Sequence, residues 1–600
     1  MAGSRIQILD VSPQVDCGRY PVKACAGDLV GVGATVIRDG HEVLRGVVRY
    51  RPRGERRWRE APLEPLGNDR FAAAFAVDAL GRWEYRVQAW VDRYAGWLDE
   101  HDRKVAAGQA DLGGELSEGE ALFGAGTVDD WRAAAPALGA KDRHDAAQSP
   151  KLEVDVERER ARFGSWYELF PRSWGGFRGV AKVLPELAAL GFDVVYLPPV
   201  HPIGTTNRKG RNNSERAAAG DPGSPWAIGA AGGGHEAIHP ELGTARDFDA
   251  LVSAAAAAGI ELALDFAIQM SPDHPWLAQH PDWFRHRPDG TIKYAENPPK
   301  RYQDIVNVDW DTADRDRLWR ALRDVVLGWC ARGVRIFRVD NPHTKPAPFW
   351  EWLLEEVRGE FPDAVFLSEA FTRPATMTLL AKLGFSQSYT YFTWKNSKAE
   401  LVELVEQLRS WSAFYRPNLF ANTPDILHAY LQHGGRPAFE ARLVLAATLS
   451  PSYGIYSGFE ACENVPVREG SEEYLDSEKY QLKQRRLDGV LLPLVGRLNE
   501  IRRERPALRR FDNLSWLETH NDALVGFVKR ESDDTVAVVV NIDPHAAREG
   551  LAIVPHELGL PETFAADELL TGERFVWRTG RNYVRLAPGK AHVLKIDANG

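Results

Sequence analysis

Short apolar runs alternate with amphipathic helical segments through the middle of the chain, from about residue 160 onward. Such alternation of strand and helix is typical of a parallel α/β architecture. Strands are predicted at residues 164–170, 193–197, 261–267, 334–340, 364–369, 385–391, 417–422 and 451–457. Eight strands in succession predict a closed (β/α)8 barrel, a TIM barrel, which we place within residues 151–510.

Two connections in this region are far longer than a barrel requires, namely residues 198–243 and 268–309. Loops of that length usually carry function. One barrel helix is also well marked, because Thr244 has the features of an N-cap and Asp247 occupies the third helical position. Its alanine-rich run ends at Gly259, a typical helix stop.

The two ends of the chain show a different pattern, in which apolar and polar residues alternate in short runs between turn signals. Residues 83–90 and 535–541 are examples. This period of two is typical of half-buried antiparallel strands. We therefore predict an antiparallel β-sandwich in residues 1–150 and a second one in 511–600. Residues 99–145 are rich in Ala, Gly, Asp and Glu, and they predict a helical insertion in the first sandwich.

Composition narrows the function classes. The 600 residues are too many for one core, and 44% hydrophobic and 26% charged residues are ordinary for a soluble globular protein. The net charge of −10 argues against a nucleic-acid partner. No apolar run is long enough to cross a membrane, and the first residues lack the apolar core of a secretion signal. The four cysteines have no metal-ligand spacing, so we expect reduced thiols and a cytoplasmic protein.

Three carboxylates stand at the ends of successive apolar runs in the predicted barrel. They are Asp340, Glu369 and Asp425. Each alone could be a helix N-cap or half of a structural ion pair. Together they indicate a catalytic group, because the carboxyl ends of barrel strands meet on the face that carries active sites. Two close carboxylates can act as nucleophile and proton donor at a glycosidic carbon.

The neighbours of these acids predict different protonation states. Arg338 lies two residues before Asp340, so both side chains share one face of a strand. A guanidinium there would keep Asp340 ionised, as a nucleophile requires. Glu369 follows an apolar run and lies near other acids, so burial and like charge should raise its pKa, as a general acid requires.

Seven segments spread over the predicted barrel carry recognisable motifs. They are residues 167–173, 197–204, 208–213, 223–229, 265–269, 297–304 and 338–345. With the three acidic strand ends, they resemble conserved regions of the α-amylase superfamily. Within it, they are similar to the bacterial maltosyltransferases that extend α-1,4-glucan from α-maltose 1-phosphate. The resemblance spans the barrel, and the two flanking sandwiches also fit that family.

Two departures from the hydrolytic amylases favour the narrower resemblance. Amylases usually end the third barrel strand with Asp-x-x-x-Asn-His, whereas residues 265–270 here read Asp-Phe-Ala-Ile-Gln-Met. Amylases usually place His directly before the last catalytic Asp, whereas Pro424 precedes Asp425 here. In amylases both histidines contact the sugar in the first subsite. A chain that lacks both is therefore not expected to be an ordinary amylase.

The resemblance implies a role for particular residues. It makes Asp340 the nucleophile, Glu369 the general acid and base, and Asp425 the stabiliser of the transition state. The expected donor-binding residues are Lys209, Gln269, Asp304, Asn341, Lys479 and Tyr480. We add Arg338 to them, because it lies beside the nucleophile.

The residues alone leave other interpretations open for most of this set. Lys209 and its two neighbouring arginines could bind phosphate or could form a solvated basic loop. Asn341 could donate to a phosphate oxygen or cap a loop, and Gln269 and Asp304 could bind sugar hydroxyls or brace loops. Lys479 lies in an acidic stretch that we predict to be helical, where it could be only an i,i+3 salt-bridge partner.

The resemblance implies a retaining glycosyltransferase that works by double displacement, without a metal or organic cofactor. The implied donor is α-maltose 1-phosphate and the acceptor an α-1,4-glucan or maltooligosaccharide. Rival hypotheses are a hydrolase or a maltose–trehalose isomerase of the same superfamily, and a non-catalytic glucan-binding protein. The family also implies a homodimer formed through the N-terminal region.

Overall fold

A computed structural model describes residues 4–297 and 300–597 of the protein. Residues 298 and 299, which belong to the sequence segment 297–304, therefore lie outside the described residues. The chain divides into two compact units, residues 1–158 and 159–600.

The first unit contains two β-sheets. Its strands are β1 (Gln7–Ser12), β2 (Val22–Cys25), β3 (Leu29–Ile37), β4 (Leu44–Pro52), β5 (Arg59–Pro62), β6 (Glu64–Gly67), β7 (Arg70–Ala76), β8 (Gly81–Val91), β9 (His144–Gln148) and β10 (Leu152–Glu157). One sheet has the order β1-β3-β7-β6, and the other has the order β2-β10-β8-β4-β5 with β9 paired to β8. All pairs are antiparallel except β2–β10. Strand β10 lies in this unit, beyond the boundary predicted at residue 150.

Three helices are inserted between β8 and β9. They are α1 (Arg93–Ala106), α2 (Gly113–Phe123) and α3 (Val128–Lys141). Asp92 caps α1, since its side chain accepts a hydrogen bond from the Ala95 amide. Thr127 and Asp130 form a reciprocal capping box at the start of α3.

The second unit begins with the strands of the predicted barrel. They are β11 (Gly164–Glu168), β12 (Val194–Leu197), β13 (Glu261–Phe266), β14 (Tyr294–Asn297), β15 (Lys300–Val306), β16 (Ile336–Asp340), β17 (Val365–Glu369), β18 (Gln387–Ser388), β19 (Asn418–Phe420) and β20 (Ser452–Tyr456). Strands β14 and β15 form a separate antiparallel hairpin within the long loop 268–309. The other eight pair in the order β18-β17-β16-β13-β12-β11-β20-β19. A parallel bridge between Ser388 and Pro417 closes the circle, so the predicted barrel is confirmed.

The barrel interior is filled by large side chains from alternate strand positions. This buried cluster contains Trp166, Val194, Tyr196, Ala263, Ile336, Val365, Leu367, Tyr389 and Phe420. Since side chains alternate between the two faces of a strand, Glu168 shares the inward face of β11 with Trp166. Asp265, Arg338 and Glu369 continue the inward faces of their own strands in the same way. The apolar interior therefore ends, toward the carboxyl ends of the strands, in a polar layer.

Helices follow most of the barrel strands. They are α4 (Gly176–Ala189), α5 (Ala245–Ala257), α6 (Pro275–Gln279), α7 (Arg315–Ala331), α8 (Ala347–Glu360), α9 (Pro374–Leu383), α10 (Lys398–Ser410), α11 (Ala429–Leu449) and α12 (Leu492–Glu504). The predicted start of α5 is confirmed, because Thr244 and Asp247 form a capping box. In the described part of the chain, every helix is too short or too polar to cross a membrane.

The chain ends in an antiparallel β domain. Its strands are β21 (Leu514–Thr519), β22 (Leu524–Glu531), β23 (Asp534–Asn541), β24 (Arg548–Val554), β25 (Thr563–Glu568), β26 (Arg574–Arg578), β27 (Gly580–Leu586) and β28 (Ala591–Asp597). They pair in the order β26-β25-β28-β23-β22-β21-β24-β27 around one apolar core. The fold class, a TIM barrel with flanking antiparallel β domains, agrees with the prediction.

Candidate active site

The strand register brings the predicted acids together at the carboxyl end of the barrel. Asp340 pairs in register with Glu369 across β16 and β17, and Asp265 pairs with Arg338 across β13 and β16. Neighbouring residues in register on parallel strands point to the same face, which here is the barrel axis. Four ionisable side chains thus meet above the apolar interior.

Arg338 is the centre of this group. One terminal nitrogen, Nη1, donates to Asp265 Oδ2 at 2.9 Å and to Asp340 Oδ1 at 2.8 Å. The other, Nη2, lies 3.2 Å from Glu369 Oε1. Arg338 is itself buried, so water screens these interactions poorly. One guanidinium therefore fixes the positions of the predicted nucleophile and the predicted acid.

Asp340 is buried but held as an anion. Burial alone would raise the pKa of Asp340, but the positive charges of Arg338 and Lys345 lower that pKa below its usual range. Gln269 Nε2 and Asn341 Nδ2 add hydrogen bonds to Oδ2 at 2.9 and 3.1 Å. An ionised carboxylate with a defined orientation is what a nucleophile needs.

Glu369, in contrast to Asp340, is held in its protonated form. Burial raises the pKa of Glu369 above its usual range, and the negative charges of Asp340 and Asp425 raise it further, while Arg338 opposes them. The Asn341 amide donates to Oε2 at 3.1 Å and also favours the ionised form. The net effect is a carboxyl that holds its proton at neutral pH, as a general acid requires.

Asp425 lies apart from the other two carboxylates. It sits in a turn after β19, where its amide donates to Thr423 Oγ1 at 3.3 Å. Its side chain is 45% exposed and forms an ion pair with Lys479. Its charge still contributes to the raised pKa of Glu369. The prediction that Asp425 stabilises the transition state stays a prediction.

Two further acids of this polar layer, Asp265 and Glu168, were missing from the predicted site. Asp265 bonds to Arg338, and burial, opposed by Arg338 and reinforced by Asp340, raises the pKa of Asp265 to about 7. Glu168 is also buried, and burial raises its pKa well above the usual range. Its Oε2 atom has no hydrogen-bond partner among the described residues. The position of Glu168 two residues after an inward-facing tryptophan is the sequence signal that could have found it.

Lys209 and Asp304 face the site from the two long loops. Lys209 is only 5% exposed, yet among the described residues no oxygen lies within hydrogen-bonding distance of its ammonium. Asp304 on β15 is 3% exposed, and its Oδ1 atom has no partner among those residues. Burial raises the pKa of Asp304, and the charges of Lys209 and Lys479 offset this only in part. Buried polar groups without partners are costly, so both side chains fit a polar ligand.

The arginines beside Lys209 do not form a phosphate-binding cluster with it. Arg208 donates to the carbonyl oxygens of Gly204 and Ile203 and braces its own loop. Arg211 is exposed and lies 3.8 Å from Asp221. The interpretation of this loop as merely solvated and basic is therefore wrong for Lys209 but right for Arg211.

Lys479 and Tyr480 lie in an irregular segment between β20 and α12, not in the predicted helix. Lys479 pairs with Asp425, far away in sequence, rather than with an acid of its own acidic stretch. Its ammonium also lies 5.2 Å from the ring centre of Trp226 and 5.8 Å from that of Tyr480. Tyr480 is buried beside it. Lys479 does form an ion pair, but its partner is Asp425 and not an i,i+3 acid of its own segment.

Three buried histidines tie the two long loops to the barrel. His235 Nε2 lies 2.8 Å from the Ala267 carbonyl oxygen, which can only accept, so this nitrogen donates. His235 Nδ1 then accepts from His274 Nε2 at 3.2 Å. His201 donates from Nδ1 to the Ala237 carbonyl oxygen at 3.0 Å. Burial lowers the pKa of His274 to about 2 and that of His201 to about 3, so both are neutral and brace the loops.

Solved structures that share this fold include α-amylases. A maltogenic α-amylase from Thermotoga neapolitana superposes with a TM-score of 0.60 and 17% identity, covering 73% of this chain and 99% of that chain. An α-amylase from Lactobacillus plantarum gives 0.58 and 21%, covering 73% of this chain and 100% of that one. At this identity the likeness shows the fold alone.

Sequence relatives are much closer. Residues 4–164 match the family model "Alpha-1,4-glucan:maltose-1-phosphate maltosyltransferase, domain N/S", and residues 516–596 match "GLGE, C-terminal". The chain is 51% identical to alpha-1,4-glucan:maltose-1-phosphate maltosyltransferase 2 of Streptomyces coelicolor, over 99% of this chain and 96% of the relative. It is 48% identical to the Pseudomonas aeruginosa enzyme of that name, over 99% and 97%. With this identity over nearly the full length of both chains, the protein belongs to the α-1,4-glucan:maltose-1-phosphate maltosyltransferase family.

Proposed function

We propose that the protein transfers maltosyl units from α-maltose 1-phosphate to the non-reducing end of α-1,4-glucans and releases phosphate. The substrates are those in the names of its relatives. The observation that carries the chemistry is that one guanidinium holds both acids, with Arg338 Nη1 2.8 Å from Asp340 Oδ1 and Nη2 3.2 Å from Glu369 Oε1. The charges of Arg338 and Lys345 lower the pKa of Asp340, whereas burial raises the pKa of Glu369. An anion and a neutral acid at one centre are the two groups that a retaining glycosyl transfer uses.

The reaction then takes two displacement steps. In the first, Asp340 attacks the anomeric carbon while Glu369 gives its proton to the departing phosphate, and a maltosyl ester forms on Asp340. In the second, Glu369 takes the proton of the acceptor 4-hydroxyl, whose oxygen attacks the anomeric carbon and displaces the Asp340 carboxylate. Two inversions give net retention of the α configuration. Arg338 holds both carboxyl groups through both steps.

A hydrolase or a maltose–trehalose isomerase is the main rival. Both rivals share the carboxylate pair, so the pair does not distinguish them. The protein should be incubated with α-maltose 1-phosphate and a maltooligosaccharide, with phosphate release and chain length followed together. We expect one phosphate for each added maltosyl unit. Free maltose without chain growth would support a hydrolase, and trehalose formed from maltose would support an isomerase.

The proposed donor site predicts a donor-selective effect of Lys209→Ala. If the unpaired ammonium of Lys209 contacts the donor phosphate, its loss removes a charge-assisted hydrogen bond worth about 1.5–3 kcal/mol. That corresponds to roughly ten- to hundred-fold lower kcat/KM for α-maltose 1-phosphate. An α-maltosyl fluoride donor, which lacks the phosphate, should be affected much less.

Arg211→Ala is the matched control, because Arg211 lies in the same loop and its side chain is 74% exposed. It should leave kcat/KM for both donors unchanged. Asn341→Ala should instead lower kcat/KM for both donors, because Asn341 Nδ2 donates to the nucleophile Asp340 at 3.1 Å. If Lys209→Ala lowers kcat/KM equally with the phosphate and the fluoride donor, then Lys209 stabilises the loop and does not contact the phosphate.

We further propose a homodimer formed through the N-terminal unit, as the family resemblance implies. In its support, Leu29, Leu9 and Leu66 are exposed on the sheet formed by β1, β3, β7 and β6. Light scattering should give twice the chain mass of 67.0 kDa, and Leu29→Asp should shift the protein toward the monomer. A wild-type protein that stays monomeric at all concentrations would contradict the proposal.

A cytoplasmic location is likewise proposed. It is supported by Cys17, Cys330 and Cys462, which are free thiols in the structure. Free thiols are usual in a reducing compartment.

A further inference from the structure

Lys345 ends the turn that follows the nucleophile and folds back over it. Its ammonium donates to the carbonyl oxygen of Asp340 at 3.2 Å and to that of Asn341 at 3.1 Å. Thr344 closes the same turn, because both its amide and its hydroxyl donate to the Asn341 carbonyl oxygen. Lys345 is thus tied to the backbone of the nucleophile and not to a carboxylate.

The peptide between Asp340 and Asn341 links Lys345 to the acid/base. Its carbonyl oxygen accepts from Lys345, and its N–H group donates to Glu369 Oε2 at 3.1 Å. A cation at the oxygen end of a peptide polarises the group, which makes the N–H a stronger donor. Lys345 therefore acts on Glu369 through one peptide unit, although the two side chains do not touch.

The same peptide orientation requires an unfavourable backbone conformation. Asn341 has φ +43° and ψ +51°, in the left-handed region that L-residues rarely adopt. Such a conformation is unfavourable and persists only where its surroundings hold it. The ammonium that bridges two successive carbonyl oxygens supplies such support. It keeps the Asn341 N–H pointed at Glu369 and the Asn341 side chain on Asp340.

We propose that Lys345 is a positioning residue that acts through the Asp340–Asn341 peptide to hold the nucleophile and to set the proton affinity of both catalytic carboxyl groups. This inference rests on the proposed function and deepens it. It gives a role to a half-buried cation that the donor-binding residues do not include. Several other charged or titratable groups surround Lys345 and the two carboxyls. They include Glu168, Asp265, Arg338, His343, Asp425, Tyr196 and Tyr389.

The direction of the effect follows from charge. Burial opposes ionisation of Asp340, and Lys345, after Arg338, is the cation that lowers the pKa of Asp340. Removing the ammonium should raise that pKa and move the acidic limb of the activity profile to higher pH. The Asn341 amide lowers the pKa of Glu369, so a weaker amide bond should move the basic limb to higher pH as well.

Lys345→Met tests the inference, with kcat/KM measured as a function of pH. The donor should be α-maltose 1-phosphate, because the departure of phosphate requires the Glu369 proton. The ionisation of the donor itself is the same for wild type and variant, so it does not affect the difference between their profiles. We expect both limbs of the profile to move up by on the order of one pH unit, since a unit charge a few Å away has gone. Lys345→Arg, which keeps the charge, should restore the wild-type limbs in large part.

Thr344→Val is the matched control, because Thr344 bonds to the same Asn341 carbonyl oxygen without a charge. It should leave both limbs in place. A folded Lys345→Met enzyme whose profile superimposes on that of the wild type would overturn the inference, whatever its rate. If Lys345→Met does not fold, Lys345→Gln gives the same measurement with the same expected shift.

The wild-type enzyme separates this inference from the proposed function. If the wild type does not transfer maltosyl units from either donor, the proposed function fails. If it does, and the Lys345 variants keep its pH limbs, only the role of Lys345 fails.

Discussion

Asp340→Ala is expected to abolish maltosyl transfer, by on the order of 10⁴-fold or more in kcat, because no other described carboxylate is held as an anion on Arg338 beside a neutral acid. Donor binding should be largely kept, since Lys209 and Asp304 are untouched. Phosphate release and calorimetric donor titration measure the two effects separately. Asp316→Ala on the exposed surface of α7 is a suitable control and should change neither.

The covalent role of Asp340 can also be tested in the wild-type enzyme. A 2-deoxy-2-fluoro maltosyl donor should leave a maltosyl adduct on Asp340, which peptide mass spectrometry would locate. Retention further requires the Asp340 and Glu369 carboxyl groups to lie about 5–5.5 Å apart when substrate is bound. An adduct on another residue would reassign the nucleophile, and a β-configured product would exclude double displacement.

Glu369→Ala should cause the second largest loss, roughly 10²- to 10⁴-fold in the first step with α-maltose 1-phosphate. The departing phosphate then receives no proton from the enzyme. Fluoride needs less acid help, so the burst of fluoride release from α-maltosyl fluoride should fall much less. Turnover should remain slow with both donors, because the acceptor hydroxyl still lacks its base.

The comparison of the two donors identifies what Glu369 does. If the first step is equally impaired with phosphate and fluoride, Glu369 is a structural partner of Arg338 and not the acid. Glu369→Gln, which keeps the shape and one acceptor oxygen for the Asn341 amide, is the matched variant. It should resemble Glu369→Ala if the proton matters, and the wild type if only the contact does.

The barrel and the core of the site could be predicted because residues close together in sequence determine them. Each barrel strand is one apolar run, and alternation along β16 places Arg338 and Asp340 on one face. The protonation of Asp340 and Glu369 then followed from burial and from the nearest charges. Register across β16 and β17, which juxtaposes these two acids, is a natural consequence of a closed parallel sheet.

Other parts of the site depend on contacts between segments far apart in sequence. Lys479 pairs with Asp425 on another loop, and composition alone had suggested a partner on its own segment. The acidic stretch around it is not a helix, because Glu478 is buried against Arg485 and Tyr456 instead of facing solvent. Nothing local to Lys209 distinguishes it from Arg211, and only the folded loop buries one and exposes the other.

The side chains of Lys209 and Asp304 affect how stable the enzyme is when no substrate is bound. Asp304 Oδ1 and the Lys209 ammonium form no hydrogen bond with the described residues, and each lowers the free energy of unfolding by about 1–3 kcal/mol wherever neither water nor a ligand satisfies it. A bound donor that forms hydrogen bonds with both groups raises the free energy of unfolding. Saturation with donor should therefore stabilise the long loops. The charged groups that lower the free energy of unfolding without substrate are also the groups that let the site select donors by charge. Selection for thermostability without substrate would therefore act first against the residues that recognise it.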